Sequence, residues 1–168
     1  PLKDFLRSQN LYNKVFIRKE EKIEPLANKK IHVGYFSSDF RAHPTMYLIS
    51  SILKLHDKSK FQIYLYSFNP KDDEYTKKAK NCGCIFRDIR KLNHLEAVSL
   101  AKSDKLDIAI DLMGYTKNNR MPIFSYRVAP IQINYLGFPG TVGSKTIDYI
   151  IADNITIPKK YEKLYSEK

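Results

Sequence analysis

The sequence predicts an α/β protein with a Rossmann-like parallel sheet and helices on both faces. Short runs of β-branched and aromatic residues alternate with helical segments of about ten residues, a pattern typical of βαβ units. One of these runs, "LDIAIDLMG", is apolar enough to be a buried strand of a parallel sheet. The chain of 168 residues suits one domain with a real hydrophobic core. The pattern leaves the order of the strands open.

Local patterns place each element along the chain. We expect strands over residues 30–37, 61–68, 84–89, 106–114, 129–137 and 146–153. We expect helices over residues 45–56, 72–80 and 93–105, and a short helix over residues 121–127. Four residues of the first helix recur at helical spacing: Met46, Ile49, Leu53 and His56. Asn93 is placed to cap the third helix.

The chain divides into two predicted units. Residues 1–28 form an appended helix or linker that includes part of the charged connector "RKEEKIEPLANKK", and residues 29–168 form the Rossmann-like domain. Because the chain starts at Pro1 without Met, we expect it to be an excised piece of a longer protein. No apolar run approaches the roughly 20 residues of a membrane span, and no signal peptide opens the chain. We therefore expect no membrane partner.

Charge and cysteine content restrict the classes of function. The chain has 29 Lys and Arg against 18 Asp and Glu, a net charge of +11, which is compatible with a polyanionic partner. The basic residues are mostly Lys interleaved with acids, so a solvated surface is favoured over nucleic-acid binding. The two cysteines, Cys82 and Cys84, cannot form a disulfide framework, which indicates a reducing cytoplasm. A lone Cys-x-Cys does not predict a metal site.

Three polar, glycine-bearing segments follow predicted strands. They are "SSDFRAHPT" at 37–45, "MGYTKNNR" at 113–120 and "LGFPGTVGS" at 136–144. Ligands of open α/β sheets bind beyond the carboxyl ends of the strands. Loops that carry unusual composition at such positions often carry function. We therefore expect the three loops to converge on one edge of the sheet and to form the functional site.

His43 is the candidate catalytic residue of the first loop. Pro44 fits the first position of a helix and pushes the preceding residue toward an extended conformation. This places His43 at or beside the helix N-cap, facing the crevice, where the positive end of the helix dipole disfavours imidazolium. A neutral imidazole there can take a proton or donate a hydrogen bond to a phosphate. Helix capping alone explains the position equally well.

The other two loops are less specific by themselves. Gly137, Gly140 and Gly143 surround Pro139 and indicate a tight turn, either structural or in contact with a ligand. The segment has neither the GxGxxG nor the GK[ST] pattern of a nucleotide-phosphate loop. In the preceding loop the polar candidates are Tyr115, Thr116, Lys117 and Arg120, although a solvated loop explains them nearly as well.

Acidic residues supply one further candidate. Asp107 and Asp111 alternate with apolar residues on the fourth strand, and Asp111 is near enough to the carboxyl end to reach the site. No pair of carboxylates suited to glycoside hydrolysis is evident. No G-x-S-x-G nucleophile elbow occurs either. Hydrolysis by these routes is therefore not predicted.

Taken together, the loops resemble glycosyltransferase family 41, the O-linked N-acetylglucosamine transferases. The resemblance rests on an ordered and specific set of motifs: HPT, GYT, APIQ, LGFPGT, DYIIAD and the closing YSEK. It extends from about Lys30 to the last residue. The N-terminal stretch would match the end of the family's tetratricopeptide-repeat region or its linker, although it contains no complete repeat.

The resemblance implies a GT-B architecture, in which two Rossmann-like lobes face each other across a cleft. This chain would be the N-terminal lobe of an enzyme that transfers a sugar, with inversion, from a nucleotide-sugar donor to a Ser or Thr hydroxyl of a protein acceptor. GlcNAc from UDP-GlcNAc is the favoured donor. In the family most nucleotide contacts belong to the C-terminal lobe, which is absent after Lys168. No cofactor is implied, and no metal, because the Asp-x-Asp motif of metal-dependent transferases is missing.

The resemblance also assigns roles to individual residues. His43 matches the family's active-site histidine, proposed as a base or as a contact of phosphate and acceptor. Tyr115 and Thr116 of GYT would line the sugar and acceptor side with Asp111. The same role extends to five residues of the LGFPGT motif: Leu136, Gly137, Pro139, Gly140 and Thr141.

Three departures from the animal members leave the donor sugar open. Tyr47 replaces a second His, Met113 replaces the Asn before GYT, and Asp111 replaces another Asn. The plant protein O-fucosyltransferases share these motifs and use GDP-fucose, and related bacterial enzymes glucosylate asparagine. A catalytically silent domain that binds a polyanion or a peptide is the alternative from another class.

Overall fold

Six parallel strands form the single sheet of the part that the structure describes, residues 27–168 together with Lys3 and Arg7. The structure is a computed structural model. The predicted extension over residues 1–28 lies almost entirely outside the described residues. The strands are β1 (Ile31–Ser37), β2 (Phe61–Ser67), β3 (Ile85–Asp88), β4 (Ile108–Asp111), β5 (Ile131–Tyr135) and β6 (Tyr149–Ile151). The helices are α1 (Pro44–Leu55), α2 (Glu74–Lys80) and α3 (His94–Ser103), with 3₁₀-helices at Met121–Tyr126 and Lys159–Leu164.

The strand order is β3-β2-β1-β4-β5-β6, and every neighbouring pair is parallel. The chain runs outward from β1 to β3 and then crosses back to β4, so the order reverses between β1 and β4. Such a switch point opens a crevice beyond the carboxyl ends of the strands. Asp111 is in register with Phe36 of β1 and with Asn134 of β5. The loops after β1, β4 and β5 therefore leave the sheet side by side.

Helices cover both faces of the sheet, as predicted. On one face α1 and α2 pack Ile49, Leu53 and Ala79 against β1, β2 and β4. On the other face α3 and the first 3₁₀-helix pack Ala101 and Phe124 against the alternate residues of the same strands. The parallel sheet is thus buried on both sides, which explains the apolar strands of the sequence. None of the helices among the described residues has the length and apolar content to cross a membrane.

Capping residues fix the helix starts. Asn93 accepts the Glu96 N–H and begins α3, which confirms its predicted role. Asp73 and Thr76 form a capping box that begins α2 two residues later than predicted. His56 ends α1 as its C-cap, with its N–H on the Ile52 carbonyl, and so does not extend the apolar stripe of the helix.

Strands are shorter than the sequence predicts where side chains bind the backbone. The β4 strand ends at Asp111 because that carboxyl accepts the N–H groups of Met113 and Gly114 and turns the chain. The β6 strand keeps only three of the eight predicted residues. The segment predicted as a short helix is a 3₁₀-helix that ends at Arg127 in a left-handed conformation (φ 45°). The second 3₁₀-helix was not predicted.

Gln132 of the APIQ motif joins β5 to its neighbours. The side chain is fully buried. Its Nε2 donates to the carbonyls of Phe124 (2.9 Å) and Thr146 (2.5 Å), and its Oε1 accepts the Val128 N–H (2.9 Å). A buried amide with all three contacts satisfied fixes the geometry of its partners, because any shift leaves a polar group unpaired. Gln132 therefore sets where the segment before β6 lies.

Candidate active site

The loop after β1 is held by the connection between β2 and α2. The buried Asn69 side chain accepts the Phe40 N–H at 3.1 Å and donates to the Phe40 carbonyl at 2.8 Å. The Asp73 carboxylate accepts the Ala42 N–H at 2.6 Å. The loop therefore presents His43 from a fixed backbone. Sequence reasoning missed Asn69, for which the only signal was its place just beyond the second strand.

His43 is the N-cap of α1, as its place before Pro44 predicts. Its backbone is extended (φ −156°, ψ 147°), and its Nδ1 accepts the Thr45 N–H at 3.3 Å. With this bond Nδ1 is an acceptor, and the proton of the neutral ring is then on Nε2; Nδ1 also lies 3.2 Å from the Thr45 hydroxyl, in a contact whose donor and acceptor depend on the tautomer. The side chain is 36% exposed. In this tautomer the ring offers a hydrogen-bond donor rather than a basic nitrogen.

Asp39 is the carboxylate next to His43. It is buried, and its Oδ1 accepts a hydrogen bond from Arg41 at 2.9 Å. Its Oδ2 lies 3.6 Å from His43 Nδ1, which is longer than a hydrogen bond. Oδ2 is placed to accept a proton from Nδ1 if the ring changes tautomer and releases the Thr45 N–H. Sequence reasoning missed Asp39, although it lies in the same loop.

Asp111 lies beneath the GYT turn rather than in the crevice. Its side chain is fully buried and accepts the N–H groups of Met113 (3.0 Å) and Gly114 (2.8 Å). Burial raises the pKa of Asp111 to about 7, against the two N–H donors, which favour the carboxylate. Burial is the larger of these effects. In this structure Asp111 therefore stabilises the GYT turn.

The GYT and LGFPGT turns pack directly against each other. A Cβ on Gly137 would overlap the Leu112 carbonyl oxygen, so the two backbones approach as only glycine permits. The Tyr115 ring meets Phe138 edge-on at 5.7 Å, and its hydroxyl donates to the Val142 carbonyl at 2.8 Å. The two turns therefore form one surface, and the Tyr115 hydroxyl makes its hydrogen bond within that surface.

Further contacts extend this surface to the loop after β1. The hydroxyls of Ser37 and Ser38 donate to Met113 Sδ at 3.4 and 3.6 Å. At the end of β5, the buried Asn134 amide donates to the Phe138 carbonyl at 3.0 Å, while its Oδ1 has no donor among the described residues. All three predicted loops thus belong to one connected wall at the carboxyl edge of the sheet.

Two polar candidates of the second loop face inward. The Thr116 hydroxyl donates to the Met113 carbonyl at 2.8 Å. Arg120 donates to the carbonyls of Ile89 (2.9 Å) and Leu92 (2.9 Å), and burial lowers the pKa of its guanidinium. These contacts tie the loop to the start of α3. Arg120 is therefore engaged by the fold rather than presented to a ligand.

The YSEK motif fixes the LGFPGT turn from the other side. The buried Glu167 carboxylate accepts the Thr141 hydroxyl at 2.6 Å and the Val142 N–H at 2.7 Å. The Tyr165 hydroxyl donates to the Pro139 carbonyl at 2.8 Å. These contacts explain why a motif about 25 residues away belongs to the same set. Sequence reasoning did not place Glu167 in the site.

A cavity of about 350 Å³ opens beside the LGFPGT turn, in the size range of small-molecule sites. Leu136 and Pro139, two predicted site residues, line it with the ends of β5 and β6. His43 is not among the described residues that line it. A second cavity of about 420 Å³ lies at the amino ends of β5 and β6, around Ser144 and Asp148. We favour the first because ligands bind at the carboxyl edge of such sheets.

Among residues 27–168, with Lys3 and Arg7, no three His, Cys, Asp or Glu side chains gather as metal ligands.

Replacing Asp111 with Asn tests its buried carboxyl group. The pKa of the Asp111 carboxyl group is about 7 in the folded chain, and the reference value that we take for the unfolded chain is 3.8. The unfolded chain therefore loses this proton first, and the free energy of unfolding falls as the pH rises from about 4 to about 7. The contribution is on the order of 4 kcal/mol, since one pKa unit is about 1.4 kcal/mol. Asp111→Asn should lose this slope in urea titrations across that range.

Asp107→Asn, at the amino end of the same strand segment, is the matched control and should keep the Asp111 slope. An Asp111→Asn curve that runs parallel to that of the parent chain would contradict the buried, proton-bearing state of Asp111.

The comparisons with known proteins show the family and the fold of the chain. The model of the family described as glycosyl transferase family 41 matches residues 7–168. The probable UDP-N-acetylglucosamine–peptide N-acetylglucosaminyltransferase SEC of Arabidopsis thaliana is 36% identical over 141 residues, which is 83% of this chain and 14% of that protein. The UDP-N-acetylglucosamine–peptide N-acetylglucosaminyltransferase of Caenorhabditis elegans is 37% identical over 143 residues, 83% of this chain and 12% of that protein.

A solved structure shows the same fold. A mutant of the Thermobaculum terrenum O-GlcNAc transferase superposes with a TM-score of 0.90 and 25% identity, over 98% of this chain and 32% of that one. The chain thus spans 14% and 12% of the two curated relatives and about one third of the solved one. The fold is that of a Rossmann-like lobe of a GT-B glycosyltransferase. The chain belongs to glycosyltransferase family 41.

Proposed function

We propose that the chain is the N-terminal catalytic lobe of an inverting protein glycosyltransferase that moves GlcNAc from UDP-GlcNAc onto Ser or Thr of a protein acceptor. Family membership and the names of the relatives support this reaction. The observation that carries the proposal is the connected wall of three loops at the carboxyl edge, with His43 at its rim. Two free cysteines are consistent with the cytoplasm as its location.

We expect the connected wall to act by positioning the substrates. Ser37, Met113 and Tyr115 are engaged in contacts inside it, and the backbone of the LGFPGT turn is held by Glu167. A fixed surface of this kind can hold a sugar and an acceptor chain in reacting geometry without rearranging, which is where much of the rate of a group transfer arises. The cavity beside Leu136 and Pro139 has room for a sugar-sized group.

His43 acts in this proposal as a hydrogen-bond donor. The tautomer with the proton on Nε2 can donate to a phosphate oxygen of the donor or to an oxygen of the acceptor. Removing a proton from the acceptor hydroxyl would require a free nitrogen, and Nδ1 is occupied by the Thr45 N–H. Hydrogen-bond donation by Nε2 therefore agrees with the observed cap, whereas the base role requires the tautomer with the proton on Nδ1, beside Asp39 Oδ2, and loss of the bond from the Thr45 N–H.

We propose that most nucleotide contacts come from another part of the polypeptide. This chain corresponds to only a fraction of its relatives, and we propose that a second lobe completes the cleft. Of the three departures from the animal members, Met113 and Asp111 point into the fold, and only Tyr47 is exposed. The donor is therefore expected to be decided largely outside this lobe, with GDP-fucose or UDP-glucose as the alternative to UDP-GlcNAc.

A transfer assay tests the proposed function. The full-length protein is incubated with a protein or peptide acceptor and with labelled UDP-GlcNAc, GDP-fucose or UDP-glucose in parallel. We expect label on Ser or Thr from UDP-GlcNAc, and none from residues 1–168 alone. Transfer from GDP-fucose or UDP-glucose would show that the proposed donor is wrong and that the proposed transferase activity is right. No transfer from any donor, together with retained peptide binding, would establish the silent binding domain instead.

His43 is tested by two substitutions in the full-length enzyme. Asn caps a helix well, so His43→Asn keeps the cap and removes the imidazole, whereas His43→Ala removes both. We expect both variants to bind the donor about ten- to a hundredfold more weakly, since a hydrogen bond to a charged group is worth about 1.5–3 kcal/mol. Only His43→Ala should also lower the melting temperature.

The outcomes separate the three roles. A turnover number that falls about a hundred- to ten-thousandfold with unchanged donor affinity would indicate a general base. A fully active His43→Asn would reduce His43 to a helix cap.

A further inference from the structure

Tyr47 and Tyr75 form an exposed pair of aromatic rings beside His43. Tyr47 lies one turn along α1 from His43, with its N–H on the His43 carbonyl at 3.1 Å, and it is 51% exposed. Its ring centroid is 5.0 Å from that of Tyr75, which lies in the first turn of α2, and the two ring planes are inclined at 56°. Helical side chains incline toward the helix N-terminus, so the Tyr47 ring lies over the turn that begins at His43. The tyrosine pair therefore adjoins the rim of the connected wall.

One carboxylate fixes the tyrosine pair relative to His43. Asp73 Oδ1 accepts the Tyr75 N–H at 2.9 Å and begins α2, while Asp73 Oδ2 accepts the Ala42 N–H at 2.6 Å, next to His43. The same side chain thus joins the starts of α1 and α2. Tyrosine has only two side-chain torsions, so rings that are already in contact lose little conformational entropy when a partner binds. The tyrosine pair is therefore a preformed binding surface.

The unpaired charge next to the rings is positive. The Lys78 ammonium lies 4.5 Å from the centroid of the Tyr75 ring, and no carboxylate among the described residues forms an ion pair with it. The acids of the same helix start are engaged elsewhere: Asp73 is the helix cap, and Glu74 pairs with Lys77 at 2.7 Å. A partner that covers the rings is therefore favoured if it brings an acidic side chain toward Lys78.

We propose that Tyr47, Tyr75 and Lys78 bind the acceptor polypeptide and select segments with an aromatic and an acidic side chain near the modified Ser or Thr. The inference rests on the proposed function, in which the acceptor reacts beside His43. Four residues of α-helix span about 6 Å and an extended chain advances about 3.3 Å per residue. The rings therefore contact acceptor residues about two to four positions from the modified hydroxyl. The acceptor aromatic ring packs against the tyrosine pair, and the acidic side chain pairs with Lys78.

Peptide binding to the full-length protein tests the proposal. The probes are short fluorescent peptides with one central Ser, in which Phe and Glu stand together about two to four residues before or after it. Matched peptides carry Ala for Phe or Gln for Glu. Fluorescence anisotropy gives the Kd, and transfer from the nucleotide sugar gives KM and kcat. At the best position we expect Phe to bind about three- to tenfold more tightly than Ala, and Glu about two- to fivefold more tightly than Gln at low salt.

Variants assign these preferences to residues. Tyr47→Ala should abolish the preference for Phe and raise the acceptor KM by the same factor, with little change in kcat or donor Kd, whereas Tyr47→Phe keeps the ring and should keep the preference. Lys78→Glu should reverse the charge preference, so that Lys in the peptide binds better than Glu. Tyr161→Ala is the matched control and should change nothing, since Tyr161 is 46% exposed and has the Lys160 ammonium 4.8 Å from its ring, but belongs to the second 3₁₀-helix.

The outcomes separate this inference from the proposed function. No transfer by the parent protein, together with a preference for Phe that Tyr47→Ala abolishes, would reject the transferase and still support peptide binding by the rings. Transfer without a preference for Phe, or a preference that survives in Tyr47→Ala, would overturn the inference. A Tyr47→Ala variant that binds the donor more weakly and the peptides equally well would also overturn it, because the rings would then hold the nucleobase. Far-ultraviolet circular dichroism checks that each variant is folded.

Discussion

The register between β1, β4 and β5 places Phe36, Asp111 and Asn134 side by side at the carboxyl edge of the sheet. Every feature of the candidate site depends on this alignment. It lets the serine hydroxyls at the end of β1 reach Met113, and it lets the Leu112 carbonyl lie against Gly137. Because parallel strands all end at one edge, three loops that are distant in sequence become one wall. The buried carboxyl of Asp111 turns the middle loop and keeps it within reach of its neighbours.

A second dependence links helix capping to chemistry at His43. The ring that starts α1 accepts the Thr45 N–H with Nδ1, and this bond places the proton of the neutral ring on Nε2. A structural role and a chemical role are thus not alternatives, because the cap selects the tautomer. Asp39 lies where it would accept a proton from Nδ1 in the opposite tautomer, so releasing the cap is the route by which Nε2 becomes free to accept a proton. The arrangement favours donation to the ligand as long as α1 keeps its first turn.

The features that could be predicted from the sequence are those that depend on contacts between residues close together in the chain. The alternation of elements, the N-cap position of His43 and the capping role of Asn93 follow from residues a few positions apart, and all three are confirmed. The motif resemblance located the wall. Strand order and the roles of Asn69, Gln132 and Glu167 depend on partners that local patterns cannot identify. The inward direction of Asp111 and Arg120 was missed for a related reason: a polar residue at the end of a strand or in a loop looks the same in the sequence whether it binds a ligand or the backbone of its own chain.

Hydrogen–deuterium exchange of the full-length protein, with and without nucleotide-sugar donor and acceptor peptide, tests most directly whether this wall contacts the substrates. The account predicts that bound substrates slow exchange in all three loops, over residues 38–45, 112–118 and 136–142. Exchange over residues 82–86, at the opposite edge, should stay unchanged. Saturating donor and acceptor that leave the three loops unprotected, while protecting the amino edge or only segments outside residues 27–168, would contradict the assignment of this wall as the catalytic face.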